Sequence, residues 1–251
     1  MNKNIGNLIL IRHGQSEWNN KNLFTGWHDI DLTEQGIKEA KDAGKLLKEK
    51  KFTFDLAYTS VLTRAIHTLF YILKELNLSS IPIKNDWRLN ERHYGALQGL
   101  DKLEISKKYG EDQVKIWRRS FDVSPPKMDK DDPRHPLNDV RYNKLDRSLL
   151  PSSESLKKTL DRVNECWNTS ILPELLLGKN IIIAAHGNSL RALAKILEKI
   201  SDQEIPEFNI PTGVPRFYKL DHNINPINVE YLGDKKIIDA ATKEVANQIK
   251  K

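Results

Sequence analysis

The chain is poor in cysteine, with only Cys166 among its 251 residues. A lone thiol closes no internal disulfide and builds no cysteine-rich metal site, which suits a reducing compartment. Cys166 therefore reads as packing rather than chemistry. Long apolar runs are also missing. The strand-like runs at Leu8–Ile11 and Ile181–Ala185 fall far short of the ~20 residues that span a bilayer, so no membrane partner is expected. Met1 to Asn7 holds one lysine and no apolar stretch before a small-residue cleavage site, unlike a secretory signal, and a cytoplasmic protein is expected. His-x-x-His and His-Glu-x-x-His pairs, acidic clusters at ligand spacing, the phosphate-binding P-loop and the dinucleotide fingerprint are all absent. Neither a metal nor a nucleotide cofactor is expected.

The chain is basic, with a formal charge of +6, but its 40 Lys and Arg residues are interleaved with 34 Asp and Glu. That is the pattern of a mixed solvated surface, and no nucleic acid is expected as partner. Excess positive charge gathered in one pocket would instead suit a small polyanion. The composition, 39% hydrophobic and 29% charged, is that of a globular protein.

Leu8-Ile9-Leu10-Ile11 is too short for a buried helix and reads as a buried strand running into Arg12-His13-Gly14. Thr33 caps a helix with Ile37, Ala40, Gly44 and Leu47 on one face. Phe54 to Ser60 reads as a second strand, followed by a helix with a stripe of Leu62, Ile66, Leu69, Leu73 and Leu76, from which Arg64 is excluded. Residues 121–151 change character, with Pro125, Pro126, Pro133, Pro136 and Pro151 and no apolar periodicity, as in a lid or binding element. The helical pattern returns at Leu156, Leu160, Val163 and Trp167. Ile181–Ala185 is another strand, ending in His186-Gly187-Asn188 before a helix with Leu190, Leu193, Leu197 and Ile200. Strands alternating with amphipathic helices predict an α/β fold: a mainly parallel sheet with helices on both faces, its active site at the carboxyl ends of the strands, and a loop-rich insertion. The expectation is one domain over residues 1–251, with the insertion at about 90–151 and a mobile tail or short helix at 234–251.

His13 and His186 each sit one residue beyond a predicted strand, each followed by glycine. A sheet of this kind can make them neighbours, with Arg12 and Arg64 on the same rim. Guanidinium is a permanently charged fork that matches phosphate oxygens in pairs, so a phosphoryl group is the natural occupant. A neutral imidazole can attack phosphorus, while the second imidazole and the arginines stabilise the equatorial oxygens. Glu91 is the candidate proton donor to the leaving oxygen. His28, His67, His93, His135 and His222 lack this context and read as structural or solvated. Taken alone, Arg118-Arg119 reads as an exposed pair.

Six motifs together carry a resemblance: Arg12-His13-Gly14-Gln15-Ser16-Glu17-Trp18-Asn19, Phe24-Thr25-Gly26-Trp27, Tyr58-Thr59-Ser60 with Arg64-Ala65, Leu89-Asn90-Glu91-Arg92-His93-Tyr94-Gly95, Trp117-Arg118-Arg119 and Ala185-His186-Gly187-Asn188-Ser189-Leu190-Arg191. In order and spacing, from about Leu8 to Gly233, they resemble the cofactor-dependent phosphoglycerate mutases of the histidine phosphatase superfamily. The resemblance implies interconversion of 3-phosphoglycerate and 2-phosphoglycerate, primed by 2,3-bisphosphoglycerate, without a metal, in a homodimer or homotetramer. It implies that His13 is the phosphohistidine and that Arg12, Arg64 and His186 hold the transferring group, with Asn19, Gly187 and Asn188 around it. Glu91 would move the proton. Thr25, Gly26, Tyr94, Lys102, Arg118 and Arg119 would bind the glycerate carboxylate and its second phosphate, and Arg92 would line the same site. A phosphomonoester phosphatase of the same fold is the alternative, since it shares the histidine chemistry and differs only in releasing inorganic phosphate.

Overall fold

Leu8–Ile11 and Ile181–Ala185 do form buried strands, and they lie side by side. In the computed structural model, which describes residues 5–246, the elements run β1 (Leu8–Arg12), α1 (Glu17–Asn20), α2 (Glu34–Glu49), β2 (Leu56–Thr59), α3 (Thr63–Leu76), β3 (Ile83–Asn85), α4 (Lys102–Tyr109), α5 (Glu111–Arg119), α6 (Leu156–Cys166), α7 (Leu172–Leu176), β4 (Ile181–Ala185), α8 (Gly187–Glu198), β5 (Arg216–Leu220), β6 (Pro226–Tyr231) and α9 (Lys235–Ala246). The strands form one six-stranded sheet of order β3-β2-β4-β1-β5-β6. The first four in that order are mutually parallel, and β5 joins β1 antiparallel, as does β6 with β5.

Both faces of the sheet are covered, which explains why β1 and β4 are apolar at every position but Arg12. Alternate residues point to opposite layers. Leu8, Leu10, Ile181 and Ile183 pack with Leu156, Val163, Leu190 and Leu193 of α6 and α8, whereas Ile9, Ile11 and Ile182 pack with Ala40, Leu47, Leu69 and Ile72 of α2 and α3. Thr33 caps α2 as expected, its hydroxyl accepting from the Gly36 amide at 3.1 Å. Two element ends differ from the sequence pattern: β2 is shorter than Phe54–Ser60, and α8 stops before Ile200 because Lys199 turns left-handed with φ 56°. The two antiparallel strands β5 and β6 have no counterpart among the expected strands.

Residues 121–155 form no α-helix or strand, only short 3-10 turns at Pro136–Asn138, Val140–Tyr142 and Arg147–Leu149. The part of the insertion before them carries α4 and α5. The tail expected to be mobile is helical over Lys235–Ala246, and the rest of it, 247–251, lies outside the described residues. Among the described residues no helix is long and apolar enough to cross a membrane.

The turn after β1 is held by the first turn of α2 at glycine distance. A Cβ on Gly14 would lie 2.3 Å from the Gly36 carbonyl oxygen, and one on Gly36 would lie 2.1 Å from that of Gln15. Only two glycines permit this approach, and the amide of Gly14 adds a hydrogen bond to the Thr68 hydroxyl at 3.1 Å. Helix propensity alone would make Gly36→Ala stabilising by about 1 kcal/mol. Sterics oppose it, and we expect Gly36→Ala to destabilise the fold by about 2 kcal/mol or more. Chemical denaturation measures this, and an unchanged or raised midpoint refutes the role of the close approach.

Candidate active site

The register of β1 and β4 builds the centre of the site. Arg12 pairs with Ala185, so the residues that follow, His13 and His186, leave the sheet level with each other. The His13 amide donates to the Ala185 carbonyl at 2.9 Å, and the two imidazoles meet edge to face with centroids 5.0 Å apart. His13 is 2% exposed and His186 is fully buried. Nδ1 of His13 lies 2.7 Å from the Gly14 carbonyl oxygen, an acceptor only, so Nδ1 carries the proton and Nε2 keeps its lone pair. Burial, followed by the charges of Arg64 and Arg12, holds His13 well below the ordinary histidine range. His186 is lowered in the same way, by burial, Arg64, His13 and Arg12. Both rings are neutral at pH 7.

Around them stand donors with nothing to donate to. Nε2 of His186 lies 2.7 Å from the Ser60 hydroxyl. With that hydroxyl donating, the ring proton sits on Nδ1, which is buried without a partner. Nε of Arg12, of Arg64 and of Arg191 are also buried and unpartnered. A buried donor left unsatisfied costs about 1–3 kcal/mol, so a cluster of them marks the seat of a ligand rich in acceptors.

Among the described residues the pocket beside this cluster is lined by six cationic side chains, those of Arg12, Arg64, Lys102, Arg118, Arg119 and Arg191, against a single carboxylate, Glu91. Several are anchored by backbone carbonyls, which leave their charge unneutralised: Arg12 on Ile210 at 3.0 Å, and Arg64 on His28 and Gly26 at 2.9 and 2.7 Å. Gly26 reaches this place with φ +57°, and a Cβ there would lie 2.1 Å from the Gln98 side-chain oxygen. Arg64, off the apolar stripe of α3, is accordingly buried and turned into the site. Lys102, at the start of α4, is pulled down to about 7 by burial, with Arg118 and Arg12 adding to the effect. Burial raises the Tyr94 phenol, but Arg92 and Arg118 outweigh it and leave it lowered.

Glu91 enters from an irregular segment. Its Oε1 accepts from the amides of Arg92 at 2.7 Å and Asn188 at 3.1 Å. Gly187 lies between Arg12 and Glu91, where a Cβ would meet the Arg12 guanidinium carbon at 3.4 Å and Oε2 of Glu91 at 3.6 Å, both ordinary contacts.

Of the residues expected from the sequence, Arg12, His13, Asn19, Thr25, Gly26, Arg64, Glu91, Tyr94, Lys102, Arg118, Arg119, Gly187 and Asn188 all line this one pocket. Arg118, read alone as exposed, is 7% exposed. Two residues are not part of its lining. His186 is fully buried beside His13, its ring 5.0 Å away, and Arg92 is fully buried, donating to the Arg118 carbonyl at 2.6 Å and the Tyr94 hydroxyl at 3.2 Å. Arg92 therefore sets the positions of Tyr94 and Arg118 from behind instead of lining the site. Residues missed by sequence reasoning also line the wall: Leu23, Phe24, Arg191, Asn209, Ile210 and Val245. Arg191 was legible, since it falls four residues after Gly187 on α8 and so shares its face. His93 and His135 are buried away from the pocket and His28 stacks on Trp18, as structural histidines do. Among the described residues no group of three or more His, Cys, Asp or Glu could hold a metal ion.

Solved structures with this fold include an α-ribazole phosphatase from Shigella flexneri, 21% identical, with TM-score 0.66 and covering 91% of this chain and 96% of its own. They also include a mycobacterial glucosyl-3-phosphoglycerate phosphatase, 20% identical, with TM-score 0.63 and coverage of 90% and 96%. A third is YhfR of Bacillus stearothermophilus, 23% identical, with TM-score 0.66 and coverage of 91% and 97%. At these identities the likeness is one of fold, and two of the three are named as phosphatases rather than mutases. Residues 8–135, which carry His13, Arg64 and Glu91, match the family model described as histidine phosphatase superfamily, branch 1. The chain belongs to the histidine phosphatase superfamily.

Proposed function

We propose that the protein transfers phosphoryl groups through a phosphohistidine at His13, and that its reaction is the interconversion of 3-phosphoglycerate and 2-phosphoglycerate. The observation that carries this reading is the charge of the pocket, six cations against one carboxylate among the described residues, with the buried Nε donors of Arg12, Arg64 and Arg191 unsatisfied. One phosphate could occupy Arg12, Arg64 and His186. Lys102, Arg118, Arg119 and Arg191 then remain for a second anionic group, as a carboxylate or second phosphate on the same small molecule provides. The donor set also fits 2,3-bisphosphoglycerate, which would supply the phosphoryl group that loads His13.

In the reaction the lone pair on Nε2 of His13 forms the N–P bond as the ester P–O bond breaks. The electron pair goes to the leaving oxygen, which takes a proton from Glu91. Once loaded, His13 passes its phosphoryl group to the free hydroxyl of 3-phosphoglycerate as the N–P bond breaks and Glu91 accepts the hydroxyl proton. The bisphosphate so formed reloads His13 from its other phosphate, Glu91 returns the proton to the leaving oxygen, and 2-phosphoglycerate is left. Arg12, Arg64 and His186 stabilise the transferring oxygens. Burial of His13, with Val245 of α9 in the wall, excludes the water that would divert the phosphoryl group.

A phosphatase is the second reading, and the names of the structural neighbours favour it. Following isomer and inorganic phosphate in one assay, with 3-phosphoglycerate, catalytic 2,3-bisphosphoglycerate and EDTA present, separates the two. We expect 2-phosphoglycerate as main product and no turnover by His13→Ala. Inorganic phosphate in excess of isomer establishes the phosphatase instead. Deleting 234–251 is expected to raise hydrolysis relative to isomerisation, and an unchanged ratio argues against α9 as a water barrier.

The lowered Lys102 gives a pH dependence with a definite sign. A bound anion favours the charged ammonium and raises its pKa, so the complex binds more protons than the free protein. Affinity for 3-phosphoglycerate should therefore fall as pH rises from about 7 toward 9. Calorimetry at pH 8 in buffers of different ionisation enthalpy should show proton uptake, abolished in Lys102→Met; uptake unchanged in that variant excludes Lys102 as its source.

A further inference from the structure

The proton-transferring Glu91 sits on a stretch of chain that has no helix or sheet to define it. Asn90 to Tyr94 lies between two 3-10 turns, Trp87–Leu89 and Gly95–Leu97, and forms no ladder with a strand. A backbone without regular hydrogen bonds must be fixed by side chains if the carboxyl group is to keep its place. Two residues outside the pocket do this, Arg162 of α6 and Glu154 just before it.

All five N–H donors of the Arg162 guanidinium are used. Nη1 donates to the carbonyls of Arg88 at 2.7 Å and Asn90 at 2.9 Å, and Nη2 to that of Glu91 at 2.9 Å. Nε and Nη2 also bind the two carboxylate oxygens of Glu154, at 2.7 and 2.9 Å. Glu154 in turn accepts from the His93 amide at 2.8 Å, and its own amide donates to the His93 carbonyl at 2.8 Å. The pair is 7% and 4% exposed, and Trp27, beneath the guanidinium at 5.6 Å, donates its indole N–H to the same Glu91 carbonyl. The segment is thus gripped on both sides of Glu91 by an ion pair that touches neither imidazole.

We propose that the buried Arg162–Glu154 pair is the positioning device for general-acid catalysis, fixing the backbone of Glu91 so that its carboxyl group meets the leaving oxygen. A pair kept only for stability would be an inefficient choice, since burying two charges roughly cancels their attraction. Its value lies in the fixed fork of the guanidinium, which holds the carbonyls of Arg88, Asn90 and Glu91 at set distances. The inference rests on the reading of His13 as nucleophile and Glu91 as acid, and holds equally for a mutase and a phosphatase.

The test uses leaving groups. When an alkyl phosphomonoester such as 2,3-bisphosphoglycerate loads His13, the N–P bond forms, the P–O bond breaks, and the alkoxide oxygen needs the proton of Glu91. With p-nitrophenyl phosphate the electron pair leaves on a stabilised phenolate and no proton is needed. Rapid-quench measurement of His13 phosphorylation in the full chain should show Arg162→Lys slowed about 10-fold or more with 2,3-bisphosphoglycerate and less than about 3-fold with p-nitrophenyl phosphate. Glu154→Gln, which keeps the shape of the carboxylate, should show the same selectivity and carries the test if Arg162→Lys does not fold. Glu91→Gln should show it more strongly, and adding Arg162→Lys to Glu91→Gln should cost little further. Equal losses with both donors, or no loss with either, overturn the proposal. A wild-type protein that labels at neither donor, or at a residue other than His13, overturns the functional reading beneath it, which is a different result.

Discussion

The parallel pairing of β1 with β4 is the constraint from which the site follows. With Arg12 opposite Ala185, the two histidines that are 173 positions apart in the chain have no freedom to separate. The first loop also needs its glycine, since Gly14 lets α2 close over the turn. The rest of the sheet holds this register through packing on both faces, where a one-residue slip would exchange the two helix layers and carry both imidazoles out of place.

The arginines of the site act in two ways at once. A phosphate-binding site needs positive charge, and a histidine nucleophile needs to be uncharged. On the proposed reading Arg12 and Arg64 would satisfy both demands, because the field that would attract the anion adds to burial in disfavouring imidazolium. Their anchoring matters to this. Arg12, Arg64, Arg92 and Arg191 are each tied to a backbone carbonyl, which orients a guanidinium without cancelling its charge. Elsewhere in the molecule arginines pair with carboxylates, Arg88 with Asp86 and Arg162 with Glu154, and serve as braces.

Much of this was legible in sequence because the signals were local. Strand, His-Gly, helix is written in consecutive residues, and the apolar periods of α2, α3 and α8 name the faces that pack. Proline density marked the irregular stretch after α5. What stayed hidden depended on partners far along the chain. β5 has an alternating burial pattern, but its Arg216 and Lys219 hide it among polar loops, and Arg216 becomes a strand residue because Glu198 and Tyr218 take its charge. Arg118 looked like surface charge because it ends a helix rich in charged residues, whereas in the fold it is buried in the pocket wall. Arg92, inside a motif of pocket residues, is turned inward by the Arg118 carbonyl and the Tyr94 hydroxyl that accept from it, a partnership not visible in the sequence.

A pocket lined this way is costly to the empty protein. Six buried or half-buried cations repel one another, and several buried donors have no acceptor. Burial lowers Arg12, Arg64, Lys102, Arg118, Arg119 and Arg191 alike, meaning that each would be more stably charged in water. An anion that fills the site removes this cost only in the folded state, so its binding is also a contribution to stability. On the proposed reading the same cost would select the ligand. A neutral or singly charged molecule would satisfy one end of the pocket only, whereas two anionic groups on one short carbon chain would satisfy both. Specificity would then come from what the wrong ligand leaves behind in a dry pocket more than from any contact that the right one makes.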